Sequence, residues 1–215
     1  MVENERKLRV GGSPLLVPEF VAVHAWVAII GALALVAGNI VGSIVVPGHD
    51  WIADTVSDLA AGRYEIIQDV TLYAFAAALI CLSLAAAHLH DGSRAWSVLV
   101  YTLVLLALCV TIIAARNEYG DGDKEGIVIH IYVVYALGAL FITAFSILGF
   151  RGHRFGRGVI VSSRVSAIIW LIGTPVFFNL PTSIDGAFER FLGIVAVIWC
   201  IIFAMAMRRW SFHHG

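Results

Sequence analysis

Polar and apolar residues alternate along this chain in long blocks. Six apolar runs, at about 19–47, 68–89, 95–115, 127–150, 165–181 and 190–207, are separated by short polar stretches. A helix needs about 20 apolar residues to cross the hydrocarbon core of a bilayer, so the pattern predicts an all-α, polytopic membrane protein built as a six-transmembrane-helix bundle. The expected organisation is a tail over 1–18, a membrane domain over 19–207 and a second tail over 208–215. The first run is too long for the h-region of a signal peptide, about 7–15 residues, and reads as a retained helix. Pro175 and Pro181 fall within or beside the fifth run. A break is tolerable there because neighbouring helices can satisfy the carbonyls that a proline frees.

Composition agrees. Of 215 residues 60% are hydrophobic and 13% charged, with a mean hydropathy of +0.90, against about 25% charged in a soluble domain. Cys81, Cys109 and Cys200 all lie inside apolar runs and read as packing residues, not as a disulfide framework or a zinc site. The net charge of −1 is informative only once placed on the topology. With the N-terminus inside, ten bases and four acids face one side; four bases and eleven acids face the other. The positive-inside rule then puts both termini in the cytoplasm, and a bacterial inner membrane is the expected location. The lipid bilayer is the expected partner, and nucleic acid is not. The connection "RGHRFGRGVIVSSR" (151–164) reads as topological charge and a candidate contact for anionic lipid heads.

Three polar islands share the acidic side: "HDWIADTVSDLAAGRYEIIQD" (49–69), "RNEYGDGDKEG" (116–126) and "TSIDGAFER" (182–190). In the first, Asp50 can cap a short amphipathic helix from Trp51, which Gly62 can end. Asp54 and Asp58 would share its face, and Thr55 with Asp58 fits a capping box. In the second, Arg116, Asn117 and Glu118 end a helix; Asp121, Asp123 and Glu125 precede the next, with His130 about two turns into it. In the third, Asp185 and Glu189 are four apart, beside Arg190. Positive helix N-termini favour such acids by about 0.3–1 kcal/mol each, and Asp123 and Asp185 are good N-cap candidates. Capping does not account for Arg116, Glu118, Asp121 and Arg190. Near membrane depth a guanidinium is costly unless paired, so Arg–carboxylate forks tying the islands together are expected.

The stretches "DWIADTVSDLAAG", "ARNEYGDGDKEGIVIHIYVVYALGA" and "PVFFNLPTSIDGAFERFLG" resemble a bacterial membrane family, domain of unknown function 998, distantly similar to the DRAM/Sfk type. The resemblance covers roughly 20–207. It implies a six-helix inner-membrane protein and brings no catalytic residues.

The expected ligand or ion-pair cluster is Asp54, Asp58, Arg116, Asn117, Glu118, Asp121, Asp123, His130, Asp185, Glu189 and Arg190. It suits a lipid head group, a divalent cation, or a lock on the bundle. Several carboxylates and a Gly-rich loop fit an oxygen-ligated ion, with Asp58, Glu118, Asp121 and His130 the metal candidates, although the EF-hand spacing is incomplete. His49 is expected in solvent. Ser57 is the only serine of the first island, without an oxyanion-hole motif. A metal-assisted lipid hydrolase using Asp54, Asp58, Glu118 and His130 is a rival, as is a small transporter or channel. His24, His88 and His90 sit near the opposite face. Haem between such histidines is not expected, because only His130 could begin a second pair. Asn39, Thr111 and Asn179 are expected to bond between helices or to line a cavity. Gly38 with Gly42, and Ala74 with Ala78, read as close helix packing. Trp26, Trp96 and Trp170 are expected near the inner interface.

Overall fold

A computed structural model of the chain describes residues 16–60, 63–115 and 129–214. Among them all regular structure is helical: α1 (Pro18–Val45), α2 (Val56–Leu59), α3 (Glu65–His88), α4 (Arg94–Ala115), α5 (Ile129–Arg151), α6 (Arg157–Phe177) and α7 (Asp185–His214). Six of these are long and apolar enough to span a membrane. Each packs on its sequence neighbour, and α7 returns to pack on α1, so the six close into a ring. The short α2 lies at one end of the ring, between α1, α3 and α7.

Small residues set the tightest approach. A Cβ on Gly31 would collide with the Ala74 carbonyl and sit 2.9 Å from the Ala78 methyl; one on Gly38 would collide with Thr71. Without a hydrophobic drive between helices in lipid, such close backbone approach supplies much of the association energy. Gly42, the other half of the expected pair on α1, meets Leu59 of α2 instead.

The end opposite α2 is filled. Trp96, Phe145, Trp199 and Phe203 are all buried, and their rings interlock, with centroids 4.8 Å apart for Phe145–Trp199 and 5.6 Å for Trp199–Phe203. Their polar edges are satisfied: Trp199 Nε1 donates to Ser163 Oγ and Trp96 Nε1 to the Ala86 carbonyl. Arg154 closes this plug, donating to the Leu89 carbonyl at 2.6 Å with its guanidinium 4.0 Å from the centre of a Trp96 ring.

Several boundaries differ from the sequence expectation, most of all around α6 and at the end of α7. The basic stretch 151–164 is not an open loop: a single 3-10 turn (Gly152–Phe155) and Gly156, at φ +93°, lead straight into α6 at Arg157. Two of its arginines, Arg154 and Arg164, bond backbone carbonyls, leaving Arg151 and Arg157 exposed. Arg157, Gly158, Ser163 and Arg164 hid the start of α6 from a hydropathy reading, yet Ser163 is buried. The last helix continues beyond 207 to His214.

Candidate functional site

The first polar island forms a lid over the ring, but not as one amphipathic helix. Asp50 does cap, its Oδ1 accepting the Ile52 and Ala53 amides at 2.8 and 3.3 Å. The chain then makes only a turn before α2 begins afresh at Val56. A continuous helix would need the carbonyls of residues 51, 52 and 54 as acceptors four residues on. Here α7 takes them. Arg190 Nη1 donates to Trp51 O and Asp54 O at 3.2 and 2.6 Å, and the Ala187 amide donates to Ile52 O at 2.9 Å. Gly186 lets the lid sit this close: a Cβ there would collide with the Asp54 carbonyl. The Thr55–Asp58 capping box then restarts the helix.

Consequently Asp54 and Asp58 do not share a helical face. Asp58 folds back onto the Thr55 amide and hydroxyl, and Asp54 Oδ2 accepts the Asp50 amide at 2.7 Å. Nor does Arg190 pair with a carboxylate as a fork. Besides the two carbonyls it donates to Asn39 Oδ1 (3.1 Å) and His49 Nε2 (2.7 Å), because the lid's turn turns its carbonyls, not its carboxylates, toward α7. His49 is not in solvent; its side chain is 2% exposed, with Nδ1 3.4 Å from Asp54 Oδ2. A guanidinium can only donate, so His49 Nε2 must accept and its proton lies on Nδ1. Burial, then the Arg190 charge, holds the His49 pKa below its ordinary value against the raising effect of Asp54 and its neighbours. Glu189 completes the clamp, its Oε2 accepting the Val56 amide at 2.7 Å.

Beneath the lid is a chamber of about 360 Å³, lined from α1 and α3–α7 and by the lid itself. Its walls are mostly apolar, from Leu35 and Phe75 to Phe141 and Val197. Its polar groups gather at the roof, in Asn39, Ser57, His130, Glu189 and Arg190. Trp170 and Thr174 line it from α6, so Trp170 belongs to the chamber wall rather than an interfacial belt. From Glu189 to Val197 along α7 the lining runs eight residues, about 12 Å at 1.5 Å per residue. That is close to one leaflet of a hydrocarbon core about 30 Å thick. Ile40 of α1 and Ile194 of α7 both line the chamber and are 44% and 48% exposed. Gly193 lies on that wall, with open space where a Cβ would point.

A second cavity of about 290 Å³ adjoins it at Ser57, His130 and Glu189, and is lined also by Thr55 and Asp185. Here Ser57 Oγ lies 3.1 Å from His130 Nε2, linking the lid to α5. Buried polar atoms nearly always have partners. Yet Asn39 Nδ2, His130 Nδ1, Trp170 Nε1, Thr174 Oγ1 and Asp185 Oδ1 have none among the described residues, and all five residues line the two cavities.

Of the expected cluster, the structure brings Asp54, Asp58, His130, Asp185, Glu189 and Arg190 to one end of the ring. Asp185 is the first residue of α7 rather than its cap. Arg116, Asn117, Glu118, Asp121 and Asp123 lie outside the described residues, as does Gly62. Among the described residues no three His, Cys, Asp or Glu side chains converge in a metal-binding arrangement. At the other end His24 and His88 flank Phe20, ring centres 4.1 and 4.9 Å away, and His88 Nε2 accepts the Val17 amide at 2.9 Å. Thr111 and Asn179 bond within their own helices or the turn that follows; only Asn39 reaches another helix. Sequence reasoning missed the roles of His49, Ser57 and Gly193. The polar island itself was a signal for the first two. A lone glycine gave none for the third.

Fold and site define a six-span membrane protein with a lidded, apolar chamber at one end. The family described as Protein of unknown function (DUF998) matches residues 29–206, and the chain belongs to that family. No curated protein and no solved structure matches the chain.

Proposed function

We propose that the protein binds a membrane lipid, taking an acyl chain into the chamber and holding the polar head under the lid. The chamber carries this reading. Its volume falls in the range of ligand pockets, about 300–1,000 Å³. It is nearly one leaflet deep, apolar below and polar at the roof, and its α1–α7 side carries the half-exposed Ile40 and Ile194. The unpartnered Asn39, His130 and Thr174 atoms at its wall supply donors and acceptors for a head group or ester. Charge asymmetry and the family resemblance support placing the lid on the outer face of a bacterial plasma membrane, with both termini cytoplasmic. Within the 151–164 stretch, exposed Arg151 and Arg157 are then the arginines left for anionic heads on the inner side.

The test is retention of lipid. Protein purified in detergent and extracted with organic solvent should release about one lipid per chain. Gly193→Phe fills the chamber without a clash at its Cβ, and should release far less while remaining folded. Equal lipid from both proteins would mean that the lipid is peripheral and would end the proposal.

A further inference from the structure

Ser57 and His130 are 73 residues apart in sequence, on the lid and on α5. We infer that they form a nucleophile–base pair acting on a carboxylic ester of the bound lipid, an inference that rests on the chamber reading for its substrate class. Three observations carry it. Ser57 Oγ is within hydrogen-bond reach of His130 Nε2, at 3.1 Å, the geometry by which an imidazole activates a hydroxyl. Both residues line the apolar chamber and the adjoining cavity alike. An amphiphile with its chain in the first and its head in the second therefore places its linkage at Ser57. The third observation is that His130 Nδ1 is buried with no partner among the described residues, so the ring is not committed to a structural bond on its other edge.

The chemistry balances without a further cofactor. Ser57 Oγ adds to the ester carbonyl carbon while its proton passes to His130 Nε2. The carbon–oxygen bond to the alcohol then breaks, and the alcohol leaves with that proton. Water attacks the acyl-Ser57 ester, gives a proton to His130, and releases the fatty acid as Ser57 recovers its own. The adjoining cavity gives the leaving alcohol and the water a polar route separate from the chain.

Activity-based labelling tests this on the full chain in detergent. A long-chain alkyl fluorophosphonate should phosphonylate Ser57, identified by peptide mass spectrometry. Ser57→Ala should abolish the adduct, and His130→Gln, which keeps a polar ring-sized side chain but no base, should slow it roughly a hundredfold. Hydrolysis of p-nitrophenyl palmitate should fall in the same order. No adduct at Ser57, or an unchanged rate in His130→Gln, overturns the inference. Lipid retention and thermal unfolding of Ser57→Ala separate the two readings. A folded Ser57→Ala that still retains lipid leaves the chamber standing whichever way labelling falls. If lipid retention fails in the wild type but Ser57 labels, the pair is active without the chamber; short-chain and long-chain probes would then label equally.

Discussion

The two ends of the helical ring solve opposite problems. At the basic end Trp96, Phe145, Trp199 and Phe203 fill the axis, their polar edges bonded to Ala86 and Ser163. At the lid end the same six helices leave about 360 Å³ open, with several polar atoms unpartnered. Packing that maximises stability has no voids and no orphaned donors. A lid end with both a void and a cluster of orphaned polar atoms, beside a filled end where the Arg154 and Arg208 Nε atoms are the ones without partners among the described residues, marks where stability has been given up for a site.

The sharpest way to break this comparison is to remove a large apolar side chain from each end. Trp199→Ala in the plug should cost about 3–5 kcal/mol, since neighbours cannot collapse into the space. Leu35→Ala, at the chamber wall, should cost under about 2 kcal/mol because it already faces a cavity. Urea or thermal unfolding in detergent measures both, and equal costs would erase the distinction.

Next in size is the lid clamp. Arg190→Ala leaves the Trp51 and Asp54 carbonyls and Asn39 without a donor, and should destabilise by roughly 2–3 kcal/mol. Arg190→Lys should recover less than half of that, because an ammonium cannot reproduce the planar fork. Protease cleavage near residue 55 reports lid opening.

Two glycines seven residues apart on α7 then give effects of opposite sign. Gly186→Ala drives a methyl into the Asp54 carbonyl and should cost about 1–3 kcal/mol by overpacking. Gly193→Ala meets nothing and gains helix propensity, so stability should rise by a few tenths to about 1 kcal/mol.

The smallest expected effect is in pH. His49 is held neutral in the folded state, its pKa below the ordinary 6.5. Between that folded value and 6.5 the unfolded chain binds more protons, so stability rises with pH there. The contribution is complete above about pH 6.5 and is lost as pH falls below it. The melting temperature of the wild type should therefore drop faster on acidification than that of His49→Gln.

Particular residues show how far the sequence reached. The spans were legible because hydropathy over about 20 residues is a local property, and the Thr55–Asp58 box because its two members are only three positions apart. The start of α6 was hidden because Arg157, Gly158 and Ser163 look like loop residues until the packed helices bury Ser163 against Trp199. The lid was read as one helix because nothing near Trp51 or Asp54 announces that residues more than 130 positions away take their carbonyls. The sequence shows that Arg190 needs partners, and its neighbouring acids point to carboxylates. The actual acceptors, two carbonyls, an amide oxygen and an imidazole, exist as a set only once the chain has turned.

By itself, then, the sequence determined that six helices cross a bilayer, that one end is basic and the other acidic, and that the acidic end carries an Arg190 in want of acceptors. The tertiary structure decided that the ring closes with α7 against α1, that one end is plugged and the other hollow, and that Ser57 meets His130. Solvation by lipid acts on each segment separately and is written in its composition. A cavity or a hydrogen bond depends on distances between segments far apart in the chain, and those are fixed only when all six helices pack at once.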